Sequence, residues 1–314
     1  MGQTGNAASA AGRVAVIGLG SMGSGMALSL VRAGFSVAGF DVNPAAVSRF
    51  AEAGGAGAAS PAEAASGAAA VVSVVLNGAQ TEAVLFGEGG CAATMAPGSV
   101  FISSATMAPS VARDLAARLE PMGIHYLDAP ISGGAQRAAE GALTVLVSGA
   151  PAALAAAEPA LEAMAAKIFR LGDAVGTSAG LKIVNQLLAG VHIAAAAEAM
   201  AFADAHDLDL RTVYEVITAS AGNSWMFENR VPHILDEDYT PRSATDIFVK
   251  DLGIVLDIAR ADRIPVPLAS TALQSFLMTS AAGMGRDDDA SVYRLYRSIM
   301  GAAGSNETKK GERS

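Results

Sequence analysis

The chain has little cysteine, few charged residues and few aromatic residues, and these shortages exclude several classes of protein. Cys91 is the only cysteine in 314 residues, which excludes an internal disulfide framework and favours the reducing cytoplasm. The 21 lysine and arginine residues are outnumbered by 30 acidic residues, so no basic surface for a nucleic-acid partner is expected. Hydrophobic residues still make up 52% of the chain, enough for the cores of about two globular domains.

Long apolar runs are also missing. Residues 1–12 show no basic segment followed by an apolar one, so we expect no secretory signal. The longest uncharged stretch, 64–81, contains Ser, Gly, Asn and Gln, and we expect no membrane span. Residues 1–11 and 303–314 are mostly small or polar, and they are predicted to be disordered tails.

A glycine-rich segment follows the first apolar stretch. Residues 14–17 are predicted to form a strand, and Gly18, Gly20 and Gly23 come directly after it, before an amphipathic helical pattern. In a strand–turn–helix unit this spacing permits a tight turn, close approach of the backbone to a pyrophosphate, and close packing of the helix. The N–H groups at the start of the helix would face the phosphates. The segment therefore predicts a bound nicotinamide or flavin nucleotide.

The acidic residue Asp41 follows the second predicted strand, 23 residues after Gly18. A carboxylate at this place accepts hydrogen bonds from the adenosine ribose and repels a 2′-phosphate. No arginine is adjacent, and Arg49 lies further along the next helix. We therefore expect NAD rather than NADP, although a strand-end turn is the alternative interpretation of Asp41.

Strand and helix patterns alternate up to about residue 172 and are then replaced by helices alone. Strands are predicted at 14–17, 36–40, 70–76, 100–102, 125–127, 144–147 and 168–170. The alternation predicts an α/β fold, a Rossmann-type doubly wound and mainly parallel sheet over 12–174. Helical patterns after it predict an all-α domain over 175–302. The acidic run 287–289 lacks the other ligands of a calcium loop and is expected to be a solvated helix start.

One lysine lies within the long helical pattern that begins near residue 177. Lys182, Asn185 and Gln186 share one helical face, and apolar residues fill the others. Oxidation of an alcohol by hydride transfer needs a base for the hydroxyl proton. A free lysine, with a pKa of about 10.4, is protonated, but partial burial and a nearby oxidised nicotinamide would lower that pKa. Lys182 is therefore a candidate acid/base; a lysine that snorkels at a helix start is the alternative.

A polar loop follows the predicted strand at 125–127. Ser132, Gly133 and Gly134 offer a hydroxyl and two N–H groups, which would form a cradle for a substrate carboxylate. An ordinary glycine turn is the alternative. The four histidines have no Cys, Asp or Glu at the spacing of metal ligands, so we expect no catalytic metal.

In order and spacing, these motifs resemble those of the β-hydroxyacid dehydrogenase family over roughly residues 13–300. The matching stretches are 18–23, 128–134, 182–185 and 248–252. The resemblance implies a Rossmann domain followed by a helical domain, in dimers or tetramers, with NAD as the cofactor and a small hydroxy acid as the substrate. It implies that Lys182 is the catalytic acid/base. The implied substrate ligands are Ser132, Gly133, Gly134 and Asn185, and Gln186 on the same helical face is a further candidate. Together with the glycine segment and Asp41, the expected cofactor ligands are Gly18, Leu19, Gly20, Ser21, Met22, Gly23, Asp41, Leu76, Asn77, Thr106 and Lys250.

Three positions depart from the family pattern. Asn77 stands where proline is common, Ser103 where aspartate is common, and Gln186 where a second asparagine is common. The first two bear on details of cofactor binding. Because glutamine reaches further than asparagine, the third bears on the shape of the substrate pocket.

The C-terminal half is similar to family members that act on four-carbon sugar acids. The matching stretches are 186–193, 221–230, 238–241 and 267–273. This likeness implies oxidation of the C2 hydroxyl of such an acid to a 2-keto acid. The alternatives are a 3-hydroxyisobutyrate dehydrogenase, a reductase of tartronate or succinic semialdehyde, and a catalytically silent nucleotide-binding module. The polar residues Gln186, Asn223 and Ser224 favour a substrate with several hydroxyls.

Overall fold

The computed structural model describes residues 11–300, which form two compact units divided between Lys182 and Ile183. The predicted tails lie outside the described residues, apart from Ala11, at which the first strand begins. The sequence predicts a domain boundary after residue 174, in the loop before a long helix. The division between the units falls inside that helix instead, because its first residues, including Ala179, pack into a core of the first unit.

A six-stranded parallel sheet forms the centre of the first unit. Its strands are β1 Ala11–Ile17, β2 Phe35–Phe40, β3 Ala56–Gly57, β4 Ala70–Ser73, β5 Val100–Ser103 and β6 His125–Asp128. Their order is β3-β2-β1-β4-β5-β6, and every neighbouring pair is parallel. The order of the strands reverses direction between β1 and β4, which is where folds of this type bind their ligands, beyond the carboxyl ends of the strands.

Helices cover both faces of this sheet. They are α1 Gly23–Arg32, α2 Pro44–Glu52, α3 Pro61–Ala65, α4 Gly78–Phe86, α5 Pro109–Leu119, α6 Gly134–Glu140 and α7 Pro151–Met164. Alternate residues of each strand enter different cores: Val14 and Val16 enter one, and Ala15 and Ile17 enter the other. The predicted doubly wound α/β fold is confirmed.

A second, smaller sheet contains the last strands of this unit. Its strands are β7 Ile131–Ser132, β8 Leu143–Val147 and β9 Ala165–Arg170, in that order, with β7 antiparallel to β8. The strands predicted at 144–147 and 168–170 therefore exist but pair outside the main sheet. The two-residue strand β7 was not predicted, because so short a segment carries no periodic signal.

The second unit is helical, as the sequence predicts. Helix α8, Thr177–Ala205, begins in the first unit and continues into the second. It is followed by α9 Leu210–Thr218, α10 Trp225–Leu235, α11 Thr245–Asp262, α12 Pro267–Thr279 and α13 over residues 292–300. Within residues 11–300, α8 is the one helix long and apolar enough to cross a membrane, but half of its apolar stretch is buried inside the protein, as in a core helix.

The prediction of a solvated acidic run was wrong for two of its three residues. Asp288 and Asp289 are both 0% exposed. The Asp289 carboxylate accepts a hydrogen bond from Arg230 Nε at 2.5 Å, and Asp288 Oδ1 lies 2.9 Å from His233 Nδ1. These partners lie 59 and 55 residues earlier in the chain, so nothing in the local sequence indicates that the carboxylates are buried and paired.

Candidate active site

The glycine loop joins β1 to α1 at the centre of the sheet. Gly18 has a φ of +95°, and a Cβ there would lie 2.4 Å from the carbonyl oxygen of Val74. A Cβ on Gly23 would lie 1.8 Å from the carbonyl oxygen of Gly18. Neither position has space for a side chain, so these two glycines allow the tight turn and the close packing of α1 that the spacing predicts.

Gly20 differs from its two neighbours in the motif because its side-chain position is open. A Cβ on Gly20 would meet no atom within 4 Å, and the residue is exposed. No side chain caps the first turn of α1, so its N–H groups donate no hydrogen bond to a capping residue. An open approach to the backbone beside an uncapped helix start fits a pyrophosphate, and the loop therefore fits a dinucleotide.

Asp41 lies directly beside the glycine loop. Its Oδ2 accepts a hydrogen bond from the Leu19 N–H at 2.7 Å, and its Oδ1 accepts one from the Asn43 N–H at 2.8 Å. Each carboxylate oxygen keeps a further acceptor site, so the half-buried side chain can still bind ribose hydroxyls. The next residue, Val42, is 89% exposed and offers no positive charge for a 2′-phosphate.

The end of β4 lies beside the same loop, and β5 is the strand next to β4 in the sheet. The Val74 N–H donates to the carbonyl oxygen of Ile17 at 2.7 Å. Asn77 caps α4 by accepting from the Gln80 N–H at 2.9 Å, and the exposed Leu76 precedes it. Thr106 follows β5 and is 9% exposed. The predicted cofactor residues of this unit thus follow the carboxyl ends of β1, β2, β4 and β5.

Lys182 is buried, with 9% exposure, although it is a charged residue near the start of a helix. Its Nζ donates a hydrogen bond to the carbonyl oxygen of Ile131 at 3.0 Å. Ser132 is the next residue and is exposed; Gly133 and Gly134 follow, with φ values of +140° and +78°. The structure therefore brings the amine to the loop that was predicted to hold the substrate carboxylate.

Asp128, the first residue of the matched stretch 128–134, is a buried carboxylate to which the sequence assigned no role. Its Oδ2 accepts from the Ala179 N–H at 2.8 Å and from the Gly176 N–H at 3.2 Å, at the start of α8. Ser148 Oγ accepts from the Ser178 N–H at 2.9 Å and is 3.5 Å from the same carboxylate oxygen. Burial raises the pKa of Asp128 to about 6, and these hydrogen bonds oppose the rise.

The remaining predicted residues lie in the second unit and form a chain of polar contacts. The exposed Asn185 donates from Nδ2 to Gln186 Oε1 at 2.9 Å. Gln186 is buried and donates from Nε2 to the carboxylate of Asp251. Lys250 Nζ lies 2.7 Å from the other oxygen of Asp251. Asp251 was not predicted as a site residue, because its partner Gln186 is 65 residues away in sequence.

No group of three or more His, Cys, Asp or Glu side chains within residues 11–300 is arranged to hold a metal ion.

Two family models together match nearly all of the described chain. The NAD binding domain of 6-phosphogluconate dehydrogenase matches residues 13–172. The model described as NAD-binding of NADP-dependent 3-hydroxyisobutyrate dehydrogenase matches residues 176–296. These matches cover both units and agree with the order of domains that the sequence predicts.

Individual relatives are similar over almost their whole length. The L-threonate dehydrogenase of Cupriavidus necator is 55% identical over 286 residues, which cover 91% of this chain and 96% of that protein. The L-threonate dehydrogenase of Escherichia coli (strain K12) is 49% identical, with coverage of 91% and 95%. The crystal structure of a 3-hydroxyisobutyrate dehydrogenase from Salmonella typhimurium superimposes with a TM-score of 0.85 at 49% identity, covering 91% of this chain and all of that one.

Proposed function

Because the chain belongs to the β-hydroxyacid dehydrogenase family of nicotinamide-dependent oxidoreductases, we propose that it oxidises L-threonate at its C2 hydroxyl. The product is 2-dehydro-L-erythronate, and NAD is the hydride acceptor. The observation that carries the proposal is the buried amine of Lys182, held 3.0 Å from the Ile131 carbonyl oxygen beside Ser132. The relatives named L-threonate dehydrogenase support the choice of substrate.

Lys182 is the general acid/base of the proposed reaction. A nicotinamide cofactor held by the glycine loop and Asp41 would supply the acceptor for the hydride from C2 of the substrate. The neutral amine of Lys182 takes the hydroxyl proton as the C2 carbonyl forms, and the ammonium returns a proton in the reverse direction. Burial of the lysine keeps the amine away from bulk water, so that the substrate hydroxyl is its proton donor.

Ser132, Gly133 and Gly134 bind the substrate carboxylate in this proposal. Ser132 is exposed, and the positive φ values of the two glycines permit successive N–H groups to turn toward one anion. Because Ile131 directly precedes these residues and accepts from Lys182, the carboxylate would be held next to the acid/base.

Asn185 and Gln186 bind the other hydroxyls of the substrate. Asn185 is three residues after Lys182, on the same face of α8, and its amide already donates to Gln186. That contact leaves the Asn185 Oδ1 available as an acceptor for a substrate hydroxyl. Gln186 contributes its second Nε2 hydrogen, because the first is given to Asp251.

A panel of hydroxy acids tests the substrate assignment. With NAD, the kcat/KM for L-threonate is expected to exceed that for 3-hydroxyisobutyrate by at least about tenfold, because the shorter acid leaves polar groups without partners. NADH formation at saturating NAD measures both values, and the semialdehydes are tested in the reverse direction.

A 3-hydroxyisobutyrate dehydrogenase is the second candidate function, since the similar Salmonella typhimurium structure bears that name. A higher kcat/KM for 3-hydroxyisobutyrate would select it, and no turnover of any acid would indicate a silent binding module.

Asp41 is proposed to select NAD over NADP. The substitution Asp41→Ala is expected to lower the ratio of kcat/KM for NAD to that for NADP by about tenfold, since it removes a charged acceptor for the ribose and a repulsion toward a 2′-phosphate. Steady-state kinetics with the two cofactors measure the ratio. Arg49→Ala is the control and should leave it unchanged, because Arg49 is exposed on α2 beyond the loop. An unchanged ratio in Asp41→Ala would remove Asp41 from cofactor selection.

We further propose that the enzyme works in the cytoplasm as a homodimer or homotetramer. Support for an assembly comes from large apolar side chains on the surface of the second unit: Phe202 and Trp225 are each 61% exposed, and Leu268 is 70% exposed. Aromatic side chains such as Phe202 and Trp225 are enriched at protein interfaces relative to the rest of the surface. Sedimentation equilibrium of the purified chain measures the number of subunits, and a monomer at working concentrations would contradict this proposal.

A further inference from the structure

We propose that Asp128 is a positioning residue for the proton transfer: it fixes the start of α8 so that Lys182 meets the substrate hydroxyl. The inference rests on the role proposed for Lys182. Its basis is a pair of contacts that join the same two short segments of the chain.

The first contact ties the strand end to the first turn of α8. Asp128 Oδ2 accepts from the N–H groups of Gly176 and Ala179, and Ser148 Oγ accepts from the Ser178 N–H. These N–H groups at the start of a helix have no partners within the helix itself. A negative charge at this end is also favoured by the helix dipole. The carboxylate therefore fixes where α8 begins relative to β6.

The second contact lies three residues further along both segments. Ile131 is three residues after Asp128, and Lys182 is three residues after Ala179, one turn along the same helical face. The Lys182 Nζ donates to the Ile131 carbonyl oxygen at 3.0 Å. Movement of the first turn of α8 would thus move the amine relative to Ser132 and the two glycines. Acid/base catalysis is sensitive to such movement, since a shift of about 1 Å can cost about 100-fold in rate.

The burial of Asp128 shows that its side chain acts inside the fold and not at the solvent surface. The residue is 1% exposed, and its Oδ1 has no hydrogen-bond partner among the described residues. A buried carboxylate oxygen without a partner is costly. The contacts at Oδ2 need one acceptor oxygen, which an asparagine side chain can also supply.

A double-mutant cycle separates this role from a general structural one. In the wild-type background, Asp128→Ala is expected to lower kcat about 30-fold, with the Kd for NADH and the KM for the hydroxy acid within about threefold. In the Lys182→Met background, the same substitution should lower the residual kcat by less than about twofold, because there is no amine left to position. Asp128→Asn retains the acceptor and should recover kcat to within about fivefold of wild type.

The cycle is run on the full chain, with the acid from the panel that the wild type oxidises with the highest kcat/KM. If another acid has the highest kcat/KM, the L-threonate assignment is contradicted, but the double-mutant cycle with that acid still tests the role of Asp128. Asp289→Asn is the matched control: it alters another buried carboxylate, and it should lower Tm while leaving kcat within about twofold. Equal losses from Asp128→Ala in both backgrounds, or no recovery in Asp128→Asn, would overturn the proposal. A wild-type kcat in Asp128→Ala would also overturn the proposal.

Discussion

Replacement of Lys182 by methionine is expected to lower kcat by about 1,000-fold. Methionine has nearly the length of lysine and is apolar, so it can fill the same buried space. It removes the contact that Nζ makes with the Ile131 carbonyl oxygen and, with it, the acceptor for the hydroxyl proton. Binding of NADH should change by less than about threefold, because the glycine loop and Asp41 are untouched.

Stopped-flow or steady-state kinetics on L-threonate measure the loss, and fluorescence titration measures the Kd for NADH. Lys167→Met is the matched control. Lys167 is an exposed lysine of the same unit whose ammonium lies 4.6 Å from the centre of the Phe169 ring, and its loss should leave kcat within about twofold. If Lys182→Met retains more than about a tenth of the wild-type kcat, another group is the acid/base.

Replacement of Gly20 by alanine is expected to weaken NADH binding by at least about 100-fold without unfolding the protein. A Cβ on Gly20 meets no protein atom within 4 Å, so the fold itself tolerates alanine there. The added methyl group would occupy the open side of the loop, where the pyrophosphate must approach the backbone. The loss is therefore expected in cofactor binding and not in stability.

The two effects are measured separately. Thermal unfolding should give a Tm within about 2 °C of wild type, while NADH titration shows the loss of affinity. Gly12→Ala is the control: a Cβ on Gly12 would also meet no atom within 4 Å, but this residue lies in β1, before the glycine loop. It should leave the Kd for NADH unchanged. If Gly20→Ala binds NADH as tightly as wild type, the phosphates do not lie against this loop.

The parts of the site that the sequence predicts are those with local signals. Gly18, Gly20 and Gly23 have a fixed spacing after a strand, and the structure places them between β1 and α1. Asp41 follows the second predicted strand, and it contacts the same loop. Lys182 is surrounded by apolar residues in its helical pattern, which indicates burial before any contact is known.

The parts that the sequence does not predict depend on partners far along the chain. Asp128 accepts hydrogen bonds from N–H groups 48 and 51 residues later in the chain. No local sequence pattern therefore indicates its role at the start of α8. Asp251 likewise accepts a hydrogen bond from Gln186, which lies 65 residues earlier in the chain. The acidic run gave a wrong prediction for the same reason, because Asp288 and Asp289 are buried against His233 and Arg230, which lie 55 and 59 residues earlier in the chain.

The central claim is that the amine of Lys182 exchanges the proton of the substrate hydroxyl. A crystal structure of the enzyme with NAD and L-threonate tests it most directly, through the distance between Lys182 Nζ and the C2 hydroxyl oxygen. We expect a distance of about 2.6–3.2 Å, with the substrate carboxylate on Ser132 and the two glycines. A hydroxyl more than about 4.5 Å from Nζ, with a different side chain in hydrogen-bond contact with it, would contradict the mechanism.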